Sequence, residues 1–494
     1  MSRNEENMNA FVSAFINESE STETLNGMKC KKTTKSDLLD LFAIIGGLRN
    51  AADREIQAKF AKAWAENKTL AMKMIFYARD VREGLGERNV FRSCLKWLVK
   101  NSPSSLIAIA GLIPEYGRWD DIYPLIDQSE DAELKMVAKA IIVNQFKKDM
   151  RDAIDGKPIS LLAKWLKSMN TSSKESKRLG KLSASILGLD ARSYRKALSK
   201  LRHHIDVTER KMSSNKWEEI KYSNVPSIAM KNYNIAFKRH DEKRFSQYLE
   251  DVKNGKSKIN ASAVFPSDVY RYWERHSDDM EAVNLQWSNL PNYVEGENQA
   301  LVMADVSGSM EGLPMATSVS LALYFAERNS GCFKDIFMTF SERPEFVKIK
   351  GENIGEKFKN IEKSRWGMNT DLCLALKKIL DISKENNVPP QDMPKSLIII
   401  SDMEFDVSVR GSFLIEQVKE DFRKSGYEVP KIIFWNVNSL KDTFHAQKND
   451  ENILLVSGHS PSVFKSILSG TCQNPYEYML EILNRPRYEK VNIW

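Results

Sequence analysis

Residues 300–309 read Ala-Leu-Val-Met-Ala-Asp-Val-Ser-Gly-Ser, a pattern that points to an α/β architecture for the carboxy-terminal part of the chain. A short apolar run ends in Asp305, as a strand does when it is buried on both faces and delivers its last residue to a sheet edge. Asp305, Ser307 and Ser309 then place oxygen-bearing side chains at every second position of a turn, and Gly308 lets the backbone bend. Working outward, a helical pattern covers Met315–Asn329, Ile336–Phe340 and Glu345–Ile349 read as strands, and Asp371–Glu385 reads as a helix. Ser396–Ser401, Ser-Leu-Ile-Ile-Ile-Ser, is the most strand-like segment of the chain, and Asp402 follows it directly. Lys431–Val437 and Ile453–Val456 read as two more strands, and helical patterns surround 412–425, 461–468 and 476–484. Strands alternating with helices predict an α/β layer structure with a mostly parallel sheet.

Ahead of residue 295 the texture is helix after helix. Ile56, Phe60 and Trp64 share one face of a helix that Asp53 can cap. Leu134, Val137, Ala138, Ile141 and Ile142 follow an amphipathic stripe, and Leu161, Leu162, Trp165, Leu166 and Met169 form another. Breaks fall at Gly84 and Gly86, Pro103, Pro114–Gly117 and Gly156–Pro158. Many short helices with short turns predict stacked antiparallel pairs, although no clean repeat is present in the letters. The expectation is a multidomain chain: an all-α helical-repeat (HEAT-like) region over 1–294, then an α/β doubly wound domain over 295–494.

Composition sets the remaining bounds. Hydrophobic residues make up 42% and charged residues 28% of the 494, which is ordinary for a globular protein with sizeable cores. No apolar run approaches the roughly 18 residues of a bilayer-spanning helix, and the polar, acidic amino terminus has no signal-peptide core. Cys30, Cys94, Cys332, Cys373 and Cys472 are scattered and odd in number, so reduced, mostly buried thiols and a cytoplasmic location are expected, without a membrane partner. A net charge of +7 argues little by itself about nucleic acid.

In an open doubly wound sheet, ligands bind beyond the carboxyl ends of the strands where the strand order reverses. The first and fourth predicted strands end in Asp305 and Asp402, neighbours in the usual order. Thr370, in Trp366-Gly-Met-Asn-Thr-Asp371, precedes a helix and can reach the same edge. Asp305, Ser307, Ser309, Thr370 and Asp402 thus form a candidate set of five hard oxygen ligands. Such a set suits a divalent cation, Mg2+ foremost, with Ca2+ or Mn2+ also compatible, and does not suit zinc or copper. One coordination position would remain for a partner's carboxylate or phosphate. Asp371 reads as a helix cap. Glu404 and Asp406 are candidates to orient a bound water, and Glu404 to accept its proton in a hydrolase.

The spacing Asp-x-Ser-x-Ser, a Thr about sixty residues on, and then a strand ending in Asp resembles the metal-ion-dependent adhesion site of von Willebrand factor A domains, over residues 295–494. The competing reading is a turn on an unrelated α/β sheet with Asp402 as a cap. Arg79-Asp-Val-Arg-Glu-Gly-Leu-Gly-Glu87, Tyr116-Gly-Arg-Trp-Asp-Asp121, Tyr222-Ser-Asn-Val-Pro226, Trp366–Asp371 and Ser401-Asp-Met-Glu-Phe-Asp406 resemble a domain-of-unknown-function family from plants, bacteria and large viruses. That family is similar in layout to the Ro ribonucleoprotein autoantigen, in which a TROVE ring of helical repeats is closed by a von Willebrand A domain. The resemblance implies a nonenzymatic RNA-binding scaffold, with small structured or misfolded RNA on the helices.

Leu161–Lys211 carries thirteen Lys or Arg against four Asp or Glu, with Trp165 and Tyr194 interleaved. Lys174, Lys177, Arg178, Lys181, Arg192, Arg195, Lys196, Lys200, Arg202 and His203 are its candidate RNA-binding residues. The plain alternative is the solvated face of two helices, with Trp165 in the core. Arg79, Arg82 and Arg88 either contact phosphate at a helix start or pair with Asp80, Glu83 and Glu87. Asp120 and Asp121 read as caps of the next helix. Beside the RNA scaffold stand two other readings: a metal-dependent protein-interaction module whose partner donates an acidic residue to the cation, and a metal-dependent hydrolase. No catalytic residues are assigned; no Ser-His-Asp, Cys-His or GxxxxGKS pattern occurs.

Overall fold

Two three-residue strands near the amino terminus, β1 (Ser21–Glu23) and β2 (Lys29–Lys31), form an antiparallel hairpin that departs from the all-helical expectation for this region. This is seen in a computed structural model that describes residues 19–258, 264–295, 299–340, 344–362, 371–407, 414–469 and 472–493. A second, six-stranded sheet comprises β3 (Ala300–Asp305), β4 (Ile336–Phe340), β5 (Glu345–Lys348), β6 (Ser396–Ser401), β7 (Lys431–Asn436) and β8 (Ile453–Ser457). Its order is β5-β4-β3-β6-β7-β8, parallel throughout except for β5, which runs antiparallel to β4.

The chain starts at the middle of this sheet, moves outward through β4 and β5, then returns beside β3 and moves outward the other way. The strand order therefore reverses between β3 and β6. Right-handed crossovers in opposite directions put their helices on opposite faces, so β3 and most of β6 are buried along their length. The register Ala304 opposite Ile400 brings the carboxyl ends of these two strands side by side.

Helix Leu313–Arg328, which follows β3, is buried continuously from Ala316 to Ala326. An amphipathic helix would expose one face; this one packs on β3, β4 and β6 and is also covered by helix Pro266–Arg275. At the amino terminus, helix Asp37–Ile44 buries six of its eight residues and packs against β8. A Cβ on Gly46 would lie 2.4 Å from the Cα and N of Gly458, so only glycine permits this approach. Ser457 fastens it, accepting from Gly46 N–H (3.0 Å) and donating to the Phe42 carbonyl (3.1 Å).

These contacts explain why the compact units do not follow the boundary read between 294 and 295. The described residues up to Met74 group with Phe265–Tyr488 around the large sheet, and Ile75–Val264 form a helical unit together with the described residues from Glu489 on. Sequence texture changes where strands begin, whereas packing depends on which segments cover the sheet's outer layers.

In the helical unit, helix Ala132–Ile154 is capped by Asp131, which accepts from Leu134 N–H at 2.7 Å. It buries Leu134, Ala138, Ile142 and Phe146, with Val137 and Ile141 at the margin of that stripe. Helices Ser227–His240 and Glu242–Lys253 are separated by Asp241 alone and enclose Tyr222, Phe237, Phe245 and Tyr248. The helix read over 161–169 is shorter, Leu162–Trp165, and Leu161 is exposed.

The stretches Arg79–Glu87 and Tyr116–Asp121 meet in this unit. Arg79, 2% exposed, contacts the fully buried Asp121 through Nε and Nη2, each at 2.9 Å. Arg92 contacts Asp120 and Asp121, Lys167 contacts Asp120, and Asp121 also accepts from the Arg118 backbone N–H. Asp121 is thus a cap, as read, and the carboxylate of a buried ion network as well. A Cβ on Gly117 would stand 2.6 Å from its Oδ2.

Candidate functional site

The end of β3 and the turn after it present Asp305, Ser307 and Ser309; the end of β6 presents Ser401 and Asp402. Asp305 is completely buried. Its Oδ1 accepts from the Ser307 N–H (2.9 Å), and its Oδ2 accepts from the Ser401 hydroxyl (2.6 Å). The Ser307 and Ser309 hydroxyls share a hydrogen bond of 3.1 Å. Asp402, 1% exposed, accepts through Oδ1 from the Glu404 N–H at 3.1 Å, while its Oδ2 is buried and has no hydrogen-bond partner among the described residues. Met403 adopts a left-handed φ of 69°, a sparsely populated conformation for a residue with a Cβ, and its N–H donates to Ser401 Oγ at 3.0 Å.

The electrostatics follow from this packing. Burial first, and then the neighbouring Asp402 charge, push the Asp305 carboxyl well above the ordinary aspartate range. Burial likewise pushes Asp402 up, against the opposing influence of the Ser309 hydroxyl. Two like charges with few donors are costly to bury unless a cation or a proton intervenes. The donor set is all oxygen, two carboxylates and neighbouring hydroxyls, which suits a hard divalent cation. The unpartnered Asp402 Oδ2 is the specific observation that such an ion fits. Thr370, the fifth residue of the expected set, lies outside the described residues. Among the described residues no group of three or more His, Cys, Asp or Glu side chains is placed to hold a metal ion; the cluster here has two acids with serine hydroxyls beside them.

Ser401 is a member of this cluster that the sequence reading passed over. A serine inside a strand carries no charge signal; only the β3–β6 register places it beside Asp305.

Glu404 and Asp406 are engaged by the amino-terminal hairpin. Glu404 Oε2 accepts from the Leu25 N–H (2.6 Å), its backbone carbonyl accepts from Asn26 Nδ2 (2.6 Å), and Oε1 accepts from the Thr443 hydroxyl (3.3 Å). Thr24 Oγ1 donates to the Phe405 carbonyl at 2.7 Å, and Gly27 and Asp406 form an isolated β-bridge. These contacts tie the loop after Asp402 to the turn of the hairpin. Asp371 caps helix Leu372–Glu385, accepting from the Leu374 N–H at 2.9 Å, as its sequence position predicts.

The basic residues lie on helices Lys174–Ile186 and Ala191–His204. Lys174, Lys177, Lys181, Arg192, Arg195, Lys196, Lys200 and His203 are exposed. Arg178 is exposed too, but Asp127 and Glu175 hold its guanidinium at 2.5–2.7 Å. Arg202 is half-buried and held by main-chain and hydroxyl oxygens. Of the interleaved aromatics, Tyr194 is fully buried and donates to the Lys167 carbonyl, and Trp165 is half-buried beneath the Arg118 guanidinium, 4.3 Å from its ring centre. Cys30 and Cys94 are buried, Cys332 is exposed, and Cys373 and Cys472 lie between. Among the described residues no helix is long and apolar enough to cross a membrane.

Comparison with known proteins follows this division of the sequence. The family described as "Domain of unknown function (DUF7788)" matches residues 299–487, and "Domain of unknown function (DUF2828)" matches 24–134 and 159–298. The change from one to the other falls between residues 298 and 299. A protein of Acanthamoeba polyphaga mimivirus, "Uncharacterized protein L728", is 28% identical over 500 residues, covering 93% of this chain and 86% of its own length. No solved structure matches the chain. Since the DUF2828 family matches more than half of the 494 residues, the chain belongs to that family.

Proposed function

We propose that this protein is a nonenzymatic binding scaffold whose α/β unit docks a ligand through a divalent cation and whose helical unit binds RNA. The cation, Mg2+ foremost, is held by Asp305, Ser307, Ser309 and Asp402, with Thr370 completing the set, in the manner of a von Willebrand factor A-type adhesion site. The observation that carries the reading is the buried, unpartnered Oδ2 of Asp402 beside a second buried carboxylate, where the strand order reverses. When bound, the cation offsets the two negative charges and offers an open position to an acidic group of a partner. Ser307 and Ser309 bring neutral oxygen atoms, and Ser401 orients Asp305 through its hydrogen bond. The hairpin contacts on Glu404 and Phe405 fix the loop that carries Asp402.

For the helical unit, the supporting observation is the exposure of most of the basic residues on two consecutive helices. In this reading the helices form irregular repeats of the HEAT or TROVE kind. Phosphate neutralisation by such a surface makes binding strongly salt-dependent.

Calorimetric titration of the chelator-treated chain with Mg2+, Ca2+ and Mn2+ tests the cation site. One binding event is expected for the wild type, and its loss in Asp305→Ala and Asp402→Asn. A wild-type chain that takes up none of the three ions overturns the reading. Electrophoretic shift of a small structured RNA, weakened by charge reversal at Lys196 and Lys200, tests the RNA part.

A further inference from the structure

A cleft of about 730 Å³ opens in the helical unit between the segment around Lys164–Asn170, helix Ala191–His204 and helix Thr208–Ser213. Its volume falls in the range of sites that hold small organic ligands. Four cations line it, Lys164, Arg195, Arg202 and Arg210, against one carboxylate, Glu209. Leu198, Met169 and Val207 give it an apolar wall, and Ser199, Ser213 and Asn170 contribute neutral polar groups.

The partners of these cations distinguish the cleft from the rest of the basic surface. Arg202 donates through Nε to the Ala163 carbonyl (2.8 Å), through Nη1 to Ser168 Oγ (2.9 Å) and through Nη2 to the Leu166 carbonyl (2.7 Å). A guanidinium has five donors, so three such bonds fix its plane and leave two N–H groups for another acceptor. All three acceptors are neutral. They orient the charge without cancelling it. Arg195 is steadied by the Ala191 carbonyl (3.1 Å), and Arg210 rests against the His203 ring nitrogen (2.7 Å). Neither partner is a carboxylate, and Glu209 itself accepts from the Tyr233 hydroxyl at 3.2 Å. Arg178 on the neighbouring helix shows the contrast, since two acids take its fork. A concave site with low-dielectric walls concentrates the field of uncompensated cations and draws in an anion. Planar guanidinium groups match the oxygens of a phosphate, and the apolar wall suits the flat ring system that a nucleotide attaches to it.

We propose that this cleft is a phosphate-binding site that takes a single nucleotide, with Arg202 as the fixed cation and Arg195 and Arg210 closing on the phosphate. The site deepens the RNA-binding reading, on which it rests only for the source of the nucleotide: a free mononucleotide or one residue of a single-stranded RNA. It is independent of the cation site on the α/β unit.

The test is calorimetric titration of the full chain, at low and at physiological salt, with adenosine monophosphate and with a short single-stranded oligoribonucleotide. Wild type is expected to bind at least one probe, more weakly at the higher salt. The double variant Arg195→Gln/Arg210→Gln leaves the structural Arg202 in place. It is expected to lose about tenfold or more in affinity while keeping the wild-type circular dichroism spectrum. Lys147→Gln/Lys148→Gln, two exposed lysines of helix Ala132–Ile154 outside the basic stretch, is expected to leave the affinity for either probe within about twofold, less than the ~1.4 kcal/mol of a tenfold change. Comparable affinity for the two probes assigns the site to free nucleotide; a much tighter oligonucleotide assigns it to RNA. Absence of binding by either probe, or binding equally sensitive to the two double variants, overturns the proposal. Mg2+ uptake by the same preparation would show the cation reading intact in that event.

Discussion

Asp402→Asn is expected to move thermal stability in opposite directions with and without metal. In the presence of chelator, the wild type buries two carboxylates that repel, and Asp402 Oδ2 has no donor among the described residues. An amide in its place removes one charge, keeps the oxygen that accepts from Glu404, and puts an N–H₂ group where the lone oxygen stood. Replacing a buried ion pair by neutral groups of similar volume ranges from neutral to stabilising by about 1–4 kcal/mol, and relief of like-charge repulsion acts in the same direction. The variant should therefore melt higher than wild type in EDTA. In Mg2+ the order reverses. A ligand that binds only the native state stabilises by RT ln(1 + [L]/Kd), about 2.7 kcal/mol at a hundredfold excess over Kd. For a unit of this size that is a shift of roughly 4–5 °C in Tm. Wild type should gain it and Asp402→Asn should not. Scanning calorimetry of both proteins in EDTA and across a Mg2+ series measures all four quantities. The reasoning is refuted if wild type melts identically in EDTA and saturating Mg2+, or if the variant retains the Mg2+ shift. It is also refuted if the variant melts several degrees below wild type in EDTA, because the pair would then be satisfied without a cation.

Three further outcomes follow from packing and charge elsewhere. His445 is buried, and burial lowers its imidazole to about 4 from the ordinary 6.5, with Nε2 facing the Met403 carbonyl at 2.9 Å. Both states are neutral above pH 6.5; below it the unfolded chain takes up the proton first, so stability is lost as pH falls from 6.5 to 4, by about 3 kcal/mol in all. Urea unfolding at pH 7 and pH 5 should show a smaller loss for His445→Gln than for wild type, and an equal loss would exclude His445 as the source. Gly46→Ala forces a methyl group to within 2.4 Å of the Gly458 backbone and should cost roughly 1–3 kcal/mol or more, read from the denaturation midpoint; a wild-type midpoint would show that this contact yields freely. Asp121→Ala leaves Arg79 and Arg92 without their shared carboxylate and should destabilise the helical unit by about 3–5 kcal/mol, measured by far-ultraviolet circular dichroism during unfolding, whereas a change below about 1 kcal/mol would mean water replaces the acid.

The sheet was legible because its inner strands are apolar on both faces and two of them lead straight into an acid, β3 at Asp305 and β6 at Asp402. Ser396–Ser401 cannot be mistaken for a solvated helix, and the alternation of such runs with helical patterns fixes the order of layers. The amino-terminal hairpin was not legible: strands of three residues have too few positions to establish a period, and their partners lie near residues 404–406 and 444. The unit boundary was hidden for a related reason. Helices Asp37–Ile44 and Pro266–Arg275 look in sequence like more members of a helical series, and only their contacts with β8 and with helix Leu313–Arg328 reveal them as the sheet's covering layer. Asp53 shows the smaller error of the same kind: the helix begins at it, and Ala52 holds the cap position.

Charge is visible in a sequence, but its compensation is not, and the two candidate sites differ in how far that matters. At the sheet edge, Asp305, Ser307 and Ser309 are held together by local spacing, so the cluster can be read from a few letters; what the letters omit is Ser401 across the register and the missing donor at Asp402 Oδ2. On the helices, Arg178 and Arg202 are equivalent as letters in one basic run. The fold gives the first to Asp127 and Glu175 and hands the second only carbonyl and hydroxyl oxygens, so one charge is cancelled and the other remains available to a ligand. A basic stretch therefore identifies a binding surface only after each cation's acceptor is known. Applied to the basic stretch, that criterion selects the Arg195–Arg202–Arg210 cleft over helix Lys174–Ile186, where two acids take the Arg178 fork.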